Sequence, residues 1–203
     1  MLRTRLALAI AALWIVPATA RALSITVAAP ATVDAGAFVD VELHVLGAPE
    51  LGDFAPPSVR AFDLDLTFDA SLLAYAGVSF GPFLGSPGSE SIVTASELSG
   101  VVDLKEVSLL SGSALDALQP RDFLLATLTF QALGAGDAQL ELTQRDLADV
   151  AGSPLAVTGP SAANVAIVPE PATAVLLAGG LLVLAERRRT RRRPSRTEIR
   201  AQA

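Results

Sequence analysis

Between residues 23 and 168 the chain alternates hydrophobic and polar residues in short runs. The clearest runs are 38–45, 61–68 and 123–133. Their apolar positions are Val39, Val41, Leu43 and Val45; Phe62, Leu64, Leu66 and Phe68; and Ala126, Leu128, Phe130 and Ala132. Alternation with period two is typical of antiparallel strands that have one buried and one solvated face. Six weaker runs predict strands near 24–28, 73–78, 91–95, 101–109, 138–143 and 163–167.

Nine short strands without a long helix predict an all-β, two-sheet sandwich. Gly134–Asp137 is a tight-turn signal, and Ser113–Leu118 is long enough for one helical turn. We predict loops at 47–60, 79–90 and 144–162. The predicted core includes Val41, Leu43, Phe62, Leu64, Leu66, Leu128 and Phe130.

The N-terminal 22 residues have the three-part layout of a secretory signal peptide. Arg3 and Arg5 precede the apolar run 6–16, and Ala20–Ala22 is an A-x-A cleavage site; cleavage after Ala18–Ala20 is the alternative. We therefore expect residues 1–22 to be removed on export.

Residues 169–193 contain Pro169, Glu170 and Pro171, then the apolar run 172–185, then an arginine cluster. The cluster comprises Arg187, Arg188, Arg189, Arg191, Arg192 and Arg193. Fourteen helical residues extend about 21 Å, which makes a short transmembrane helix. The positive-inside rule would keep the arginines, the membrane stop, in the cytoplasm. A permanent single-span anchor is the alternative to a processed segment, and residues 194–203 are expected to form a disordered tail.

This C-terminal arrangement resembles the PEP-CTERM sorting signal of Gram-negative bacteria, in which a Pro-Glu-Pro tripeptide, a short apolar helix and an arginine cluster follow one another. The resemblance implies recognition by an exosortase while the protein is anchored in the inner membrane. It also implies cleavage near Pro169–Pro171, then release to the cell surface or extracellular matrix, where biofilm is formed.

The body, residues 23–168, resembles cohesin domains. The resemblance rests on the Pro30–Gly36 entry, the strand and turn in 60–75, and the late strand 123–130 before the glycine turn 134–136. It implies a nine-stranded jelly-roll sandwich related to bacterial carbohydrate-binding modules. The best-known cohesins bind dockerin modules, and that role follows the fold only loosely.

Amino-acid composition and charge exclude several classes of catalytic site and ligand. Hydrophobic residues make up 51% of the chain, Cys is absent, and His44 is the single histidine, so cysteine nucleophiles and thiolate zinc sites are excluded. Residues 23–168 contain 18 acidic and four basic residues, a net charge of −14, whereas 187–203 contain eight arginines and one acid, a net charge of +7. An acidic body is repelled by nucleic acid.

Candidate reactive groups are few. We interpret His44 as a solvated strand residue, because a general base needs a partner and a pocket. Asp63 and Asp65 share one outer face, and a glycosidase pair is the less favoured interpretation. No cofactor is assigned; calcium is the candidate ion. Its possible ligands are Asp146 and Asp149 in the loop 144–162, or Asp34 and Asp53 in other loops, and turn capping is the competing interpretation.

Aromatic platforms for sugars are scarce, because the body has no Trp and one Tyr, Tyr75. Phe54, Phe80 and Phe83 fall in predicted loops, either as an apolar contact patch or, more commonly, as anchors against the sandwich. We therefore predict an exported, non-catalytic interaction or structural protein with an envelope protein or polysaccharide as partner. A polysaccharide-binding module is the alternative.

Overall fold

The computed structural model describes residues 23–47, 58–159, 161–169, 179–184 and 186–188. Twelve strands occur in this part of the chain. They are β1 (Leu23–Ala28), β2 (Thr32–Asp34), β3 (Phe38–Leu46), β4 (Val59–Phe68), β5 (Leu73–Phe80), β6 (Ser91–Leu98), β7 (Val101–Ser108), β8 (Phe123–Ala132), β9 (Gly136–Asp149), β10 (Pro154–Leu155), β11 (Val157–Thr158) and β12 (Ala162–Val168). A 3-10 helix, Pro82–Leu84, follows β5, and helix α1, Gly112–Leu118, follows β7.

The strands form two sheets. The five-stranded sheet has the order β11-β1-β3-β8-β5, and the seven-stranded sheet has the order β2-β12-β9-β4-β7-β6, with β10 added beside β9. Pairing is antiparallel except at two edges, where β1 pairs with β11 and β2 with β12 in parallel. The mostly antiparallel sheets each present one face to the core and one to solvent.

The core lies between the sheets and is built from the alternating apolar positions. All seven predicted core residues are buried, which confirms the assigned faces. Phe130 stands at the centre, in edge-on contact with Phe68 at a centroid distance of 5.0 Å and with Tyr75 at 5.9 Å. Such aromatic contacts add packing energy to the burial of apolar surface.

The count of nine strands is wrong, because β2, β10 and β11 are additional. These strands have only two or three residues, too few for alternation to show in the sequence. The predicted loop 144–162 is also wrong in its first part, since β9 runs for 14 residues to Asp149. Similarly, β4 begins at Val59 and β5 continues to Phe80, inside the predicted loops.

The glycine turn and the helical turn occur where predicted. Residues 133–135 link β8 to β9, and Gly136 and Asp137 of the predicted turn already belong to β9; because these strands lie in different sheets, the turn carries the chain across the sandwich. Helix α1 begins after Ser111, whose hydroxyl accepts a hydrogen bond from Ala114 N.

The structure describes the chain ends only in part. The predicted signal peptide, 1–22, lies outside the described residues. Residues 179–184 and 186–188 are helical, and the rest of the predicted span 172–185 is not described. Within the described part of the chain, no helix has the length and apolar character needed to cross a bilayer.

Candidate functional site

A row of small and aliphatic side chains crosses the outer face of the seven-stranded sheet. The pairing register aligns five residues from five strands: Ile92 (β6), Val107 (β7), Ala61 (β4), Ala148 (β9) and Pro154 (β10). Ile92 is 59% exposed and Val107 is 44% exposed. A row of apolar side chains on a solvent-facing sheet surface offers a contact surface to a partner.

The central residues of this row, Ala61 and Ala148, form the floor of an apolar groove. Its volume is about 330 Å³, and Gly152 and Pro154 form one side of it while Val107 forms the other. Because the side chains of Ala61 and Ala148 are only methyl groups, the sheet surface between the two sides of the groove is recessed. The groove therefore suits a protruding aliphatic side chain of a partner.

Charged residues border the groove on one side. In the next cross-strand row, Lys105 stands opposite Asp63, and Asp63 stands opposite Asp146. Lys105 Nζ lies 2.9 Å from Asp63 Oδ2 and 3.4 Å from Asp103 Oδ1. The hydrogen bond to Asp63 raises the pKa of Lys105, so this lysine is cationic at neutral pH.

Beyond this row the surface is acidic. Carboxylate oxygens of Asp63, Asp65 and Asp103 lie within 4.8 Å of one another, a spacing that a divalent cation could bridge. Lys105 already supplies a positive charge to two of them. The pairing of β4 with β7 brings Asp103 to this cluster. From the sequence alone only Asp63 and Asp65 can be placed together, because they lie on one strand.

Neither Asp63 nor Asp65 has the surroundings of a catalytic acid. Asp63 pairs with Lys105, and both aspartates are partly exposed on an open sheet face. A glycosidase acid needs a raised pKa, which comes from burial. Asp65 agrees with the preferred interpretation of a solvated carboxylate, whereas Asp63 is held by Lys105 and its Oδ1 is shielded from solvent.

The buried carboxyl group of Glu106 is not among the reactive groups that the sequence predicts. Glu106 of β7 is fully buried on the inner face; the Ser91 hydroxyl lies near it but makes no full hydrogen bond to either carboxyl oxygen. Burial raises the pKa of Glu106 to about 7, and Ser91 opposes this shift. The alternation of 102, 104, 106 and 108 is the signal that could have found it. Because Glu106 has no exposure, it cannot reach a substrate.

His44 lies on the open outer face of the five-stranded sheet. Its Nε2 is 2.9 Å from Glu42 Oε2, and its register neighbours are Thr26 and Leu124. Glu42 thus supplies a carboxylate partner, and the pair stands on an open sheet face. The structure agrees with the interpretation of a half-exposed strand histidine.

The proposed calcium ligands do not come together. Asp146 and Asp149 belong to strand β9 and not to a loop, and Asp34 ends strand β2 on another part of the sheet. Asp149 Oδ1 accepts hydrogen bonds from Ala151 N at 2.7 Å and Ser153 N at 2.8 Å, so it caps a turn. Asp53 lies outside the described residues.

The aromatic residues are mostly committed to packing. Phe80 stacks on Phe62 with centroids 6.2 Å apart, and Phe83 contacts Phe123 at 5.5 Å, so both anchor their segments. Burial raises the pKa of Tyr75, which packs against Phe130. Within the described residues only Phe38, at 63% exposure, projects into solvent. Phe54 is not described.

Of the sorting residues, Pro169 is exposed immediately after β12 ends at Val168. Arg187 and Arg188 are helical and exposed. Glu170, Pro171, Arg189, Arg191, Arg192 and Arg193 lie outside the described residues.

Comparison with solved structures finds cohesins. A cohesin module of a Clostridium perfringens family 33 glycoside hydrolase covers 73% of this chain and 98% of its own, with a TM-score of 0.58 and 16% identity. A non-cellulosomal cohesin of the archaeon Archaeoglobus fulgidus covers 72% and 91%, with a TM-score of 0.56 and 15% identity. A type I cohesin–dockerin complex from Clostridium thermocellum covers 72% and 99%, with a TM-score of 0.57 and 12% identity.

The sandwich therefore has the cohesin fold, as its sequence resemblance implied. At these identities the likeness concerns the fold alone. No family model matches the chain, and no curated protein matches it in sequence.

Proposed function

We propose that this chain is an exported, non-catalytic module that binds a partner protein through the groove on its seven-stranded sheet. The observation that carries the proposal is the apolar row from Ile92 to Pro154, beside the acidic rows of Asp63 and Asp65. Solved cohesins occur in complexes with dockerins, which supports a protein partner for the same fold.

The chemistry of the surface defines the partner. The groove takes aliphatic side chains, and the acidic neighbours Asp65, Asp103 and Asp146 favour lysine or arginine around them. The net charge of −14 for residues 23–168 attracts a basic partner over a longer range. We therefore propose a basic segment of an envelope or matrix protein with one or two protruding aliphatic residues.

The test is capture from the host's envelope and secreted proteins with immobilised full chain. Ala148→Arg fills the groove and repels a basic partner, so it should abolish capture of the protein that wild type retains. Thr129→Arg, on the outer face of the other sheet, is the matched control and should retain it. Equal capture by wild type and Ala148→Arg would overturn the proposal.

A polysaccharide ligand is the competing function, and it is decided by co-sedimentation with the host's extracellular polysaccharide, with calcium and with chelator. Sugar sites use exposed aromatic rings, and Phe38 alone of the described aromatics offers one. We expect the protein to stay in the supernatant under both conditions. Sedimentation that survives Ala148→Arg would favour the polysaccharide.

The chain ends support a route to the cell exterior as part of this proposal. Residues 1–22 would direct export, and residues 169–193 would hold the protein in the inner membrane until an exosortase cleaves near Pro169–Pro171. Pro169, the first residue of the tripeptide, is exposed directly after the last strand, and this exposure supports access of a protease at that point. The processed protein would then reach the cell surface or extracellular matrix.

Processing is tested in the host by following the size and location of the chain. Replacing Glu170 with Ala should leave unprocessed protein in the inner membrane, whereas Glu198→Ala in the tail should be processed normally. Processing of both variants at the wild-type rate would contradict the sorting proposal and leave the groove proposal unaffected.

A further inference from the structure

Strand β6 forms an open edge of the seven-stranded sheet. All eight of its residues pair with β7 without a bulge, from Ser91 opposite Ser108 to Leu98 opposite Val101. No described strand pairs with its other side. Residues 94–98 are exposed throughout, so this side is open to another chain.

The hydrogen bonds at the start of β6 show which backbone groups face the open side. Glu90 O accepts from Leu109 N at 2.7 Å, which directs the groups of residue 90 toward β7. Ser91 N and O instead bond to Ser86 O and Gly88 N on the opposite side. Because this direction alternates along an antiparallel strand, the N–H and C=O groups of Val93, Ala95 and Glu97 face the open side.

This edge lacks most of the features that keep natural edges from pairing. Protected edges carry lysine, proline, bulges or inward-pointing charges. The segment 91–98 has no lysine, proline or bulge, and its single charged residue, Glu97, lies on the same face as Ser91 and Val93, where its Oε1 accepts a hydrogen bond from Gly100 N at 3.0 Å. It also exposes two large aliphatic side chains, Ile92 at 59% and Leu98 at 78%.

We propose that β6 pairs antiparallel with β6 of a second copy of this chain, with the two-fold axis passing midway between the two Ala95 residues. In this register Ala95 faces its own counterpart and Val93 faces Glu97 of the second copy. These three pairs use the outward backbone groups and form six hydrogen bonds. The two seven-stranded sheets become one continuous sheet.

The spacing of side chains supports a second copy as the occupant. Ile92 and Leu98 lie three residues on either side of Ala95 and project from the same face of the strand. The two-fold axis places Ile92 of one copy beside Leu98 of the other, so each covers an exposed side chain. Two copies of β6 therefore match each other in two respects: the outward N–H and C=O groups meet in pairs, and the exposed aliphatic side chains lie side by side.

The net charge predicts how this dimer responds to salt. Two bodies of −14 repel each other, so added salt should strengthen the association by screening. Salt should weaken the binding of a basic partner in the groove. Because salt acts in opposite directions on the two associations, its effect shows whether an observed association is the dimer or the binding of a basic partner. Failure of one proposal can therefore be told from failure of the other.

The first test is the molar mass of the full chain in non-ionic detergent, measured by light scattering over the micromolar range. Wild type should be dimeric and Ala95→Pro monomeric, because proline removes an outward N–H while leaving the β6–β7 ladder intact. Ala95→Ser, which keeps that N–H, is the matched control and should remain dimeric. A monomeric wild type, or an Ala95→Pro variant with the wild-type mass, would overturn the proposal.

The second test uses single cysteines in a chain that has none. Opposed residues of a hydrogen-bonded antiparallel pair have Cα atoms about 5.5 Å apart, within disulfide range. Ala95→Cys should therefore form a disulfide-linked dimer on mild oxidation, and Ser79→Cys on β5 should not. Equal cross-linking of the two variants would contradict the two-fold axis at Ala95.

Discussion

The side-chain amide of Gln119 pairs with the backbone of Val59 as a neighbouring strand would. Gln119 Oε1 accepts from Val59 N at 2.9 Å, and Gln119 Nε2 donates to Val59 O at 2.6 Å. The same Nε2 donates to Phe83 O at 3.1 Å, and Gln119 is buried. One glutamine thereby joins the end of α1 to the start of β4 and to the 3-10 helix.

Gln119→Leu should destabilise the protein by about 2–4 kcal/mol, because it leaves buried backbone groups of Val59 without partners. Denaturant unfolding followed by circular dichroism measures the change. Gln131→Leu is the matched control: Gln131 is half-exposed with one long hydrogen bond of 3.4 Å, so we expect under about 0.5 kcal/mol. Equal losses would show that the Gln119 pairing contributes little.

Glu106 should make stability depend on pH. Its pKa is about 7 in the fold against an ordinary value of 4.5, so between these pH values the folded state retains a proton that the unfolded state has lost. Stability from this group is therefore full below pH 4.5, declines as pH rises and is lost above pH 7. At about 1.4 kcal/mol per pH unit, the difference is on the order of 3 kcal/mol.

Glu106→Gln tests this linkage, since glutamine has a similar shape and does not titrate. Relative to wild type, the variant should gain stability between pH 5 and pH 8, as measured by denaturant unfolding at both values. Glu97→Gln on the exposed edge strand is the control and should show no such gain. A constant difference between Glu106→Gln and wild type at both pH values would contradict the buried carboxyl.

Leu64→Asp tests the register of β4. Leu64 is fully buried, and an unpaired aspartate there should prevent folding. Leu64→Ala is the milder change and should cost about 2–5 kcal/mol in the free energy of unfolding. Thr67→Asn, on the outer face of the same strand, should fold and melt close to wild type, because it adds no charge opposite Glu141, the register partner of Thr67. A Leu64→Asp protein that melts like wild type would refute the inward assignment.

Gly81 and Gly77 form a matched pair around the end of β5. A Cβ atom on Gly81 would overlap the carbonyl oxygen of Leu124, whereas one on Gly77 meets no atom within 4 Å. Gly81 also donates to Leu125 O at 2.7 Å, which holds it close to β8. Gly81→Ala should therefore lower the melting temperature by several degrees, and Gly77→Ala should leave it unchanged or slightly raised. The reverse order would contradict this close approach.

The sequence determined the longer strands and their faces. Alternation over eight or more residues, as in 38–45 and 61–68, fixes which side chains are buried, because successive side chains of a strand point to opposite faces. The preferred interpretation of Phe80 and Phe83 as packing anchors is also confirmed, although Phe80 ends β5 and does not lie in a loop. Resemblance at the level of short motifs was enough to predict the cohesin fold.

Strand pairing decided the rest, because it joins residues that are distant in the chain. The groove needs Ala61, Val107 and Ala148 in one row, and no local pattern aligns these three positions. The cluster of Asp63, Asp65 and Asp103 and the open edge at Ala95 arise in the same way. Alternation within each strand specifies a face, whereas a site requires the register between strands, and that register is set by packing of the two sheets.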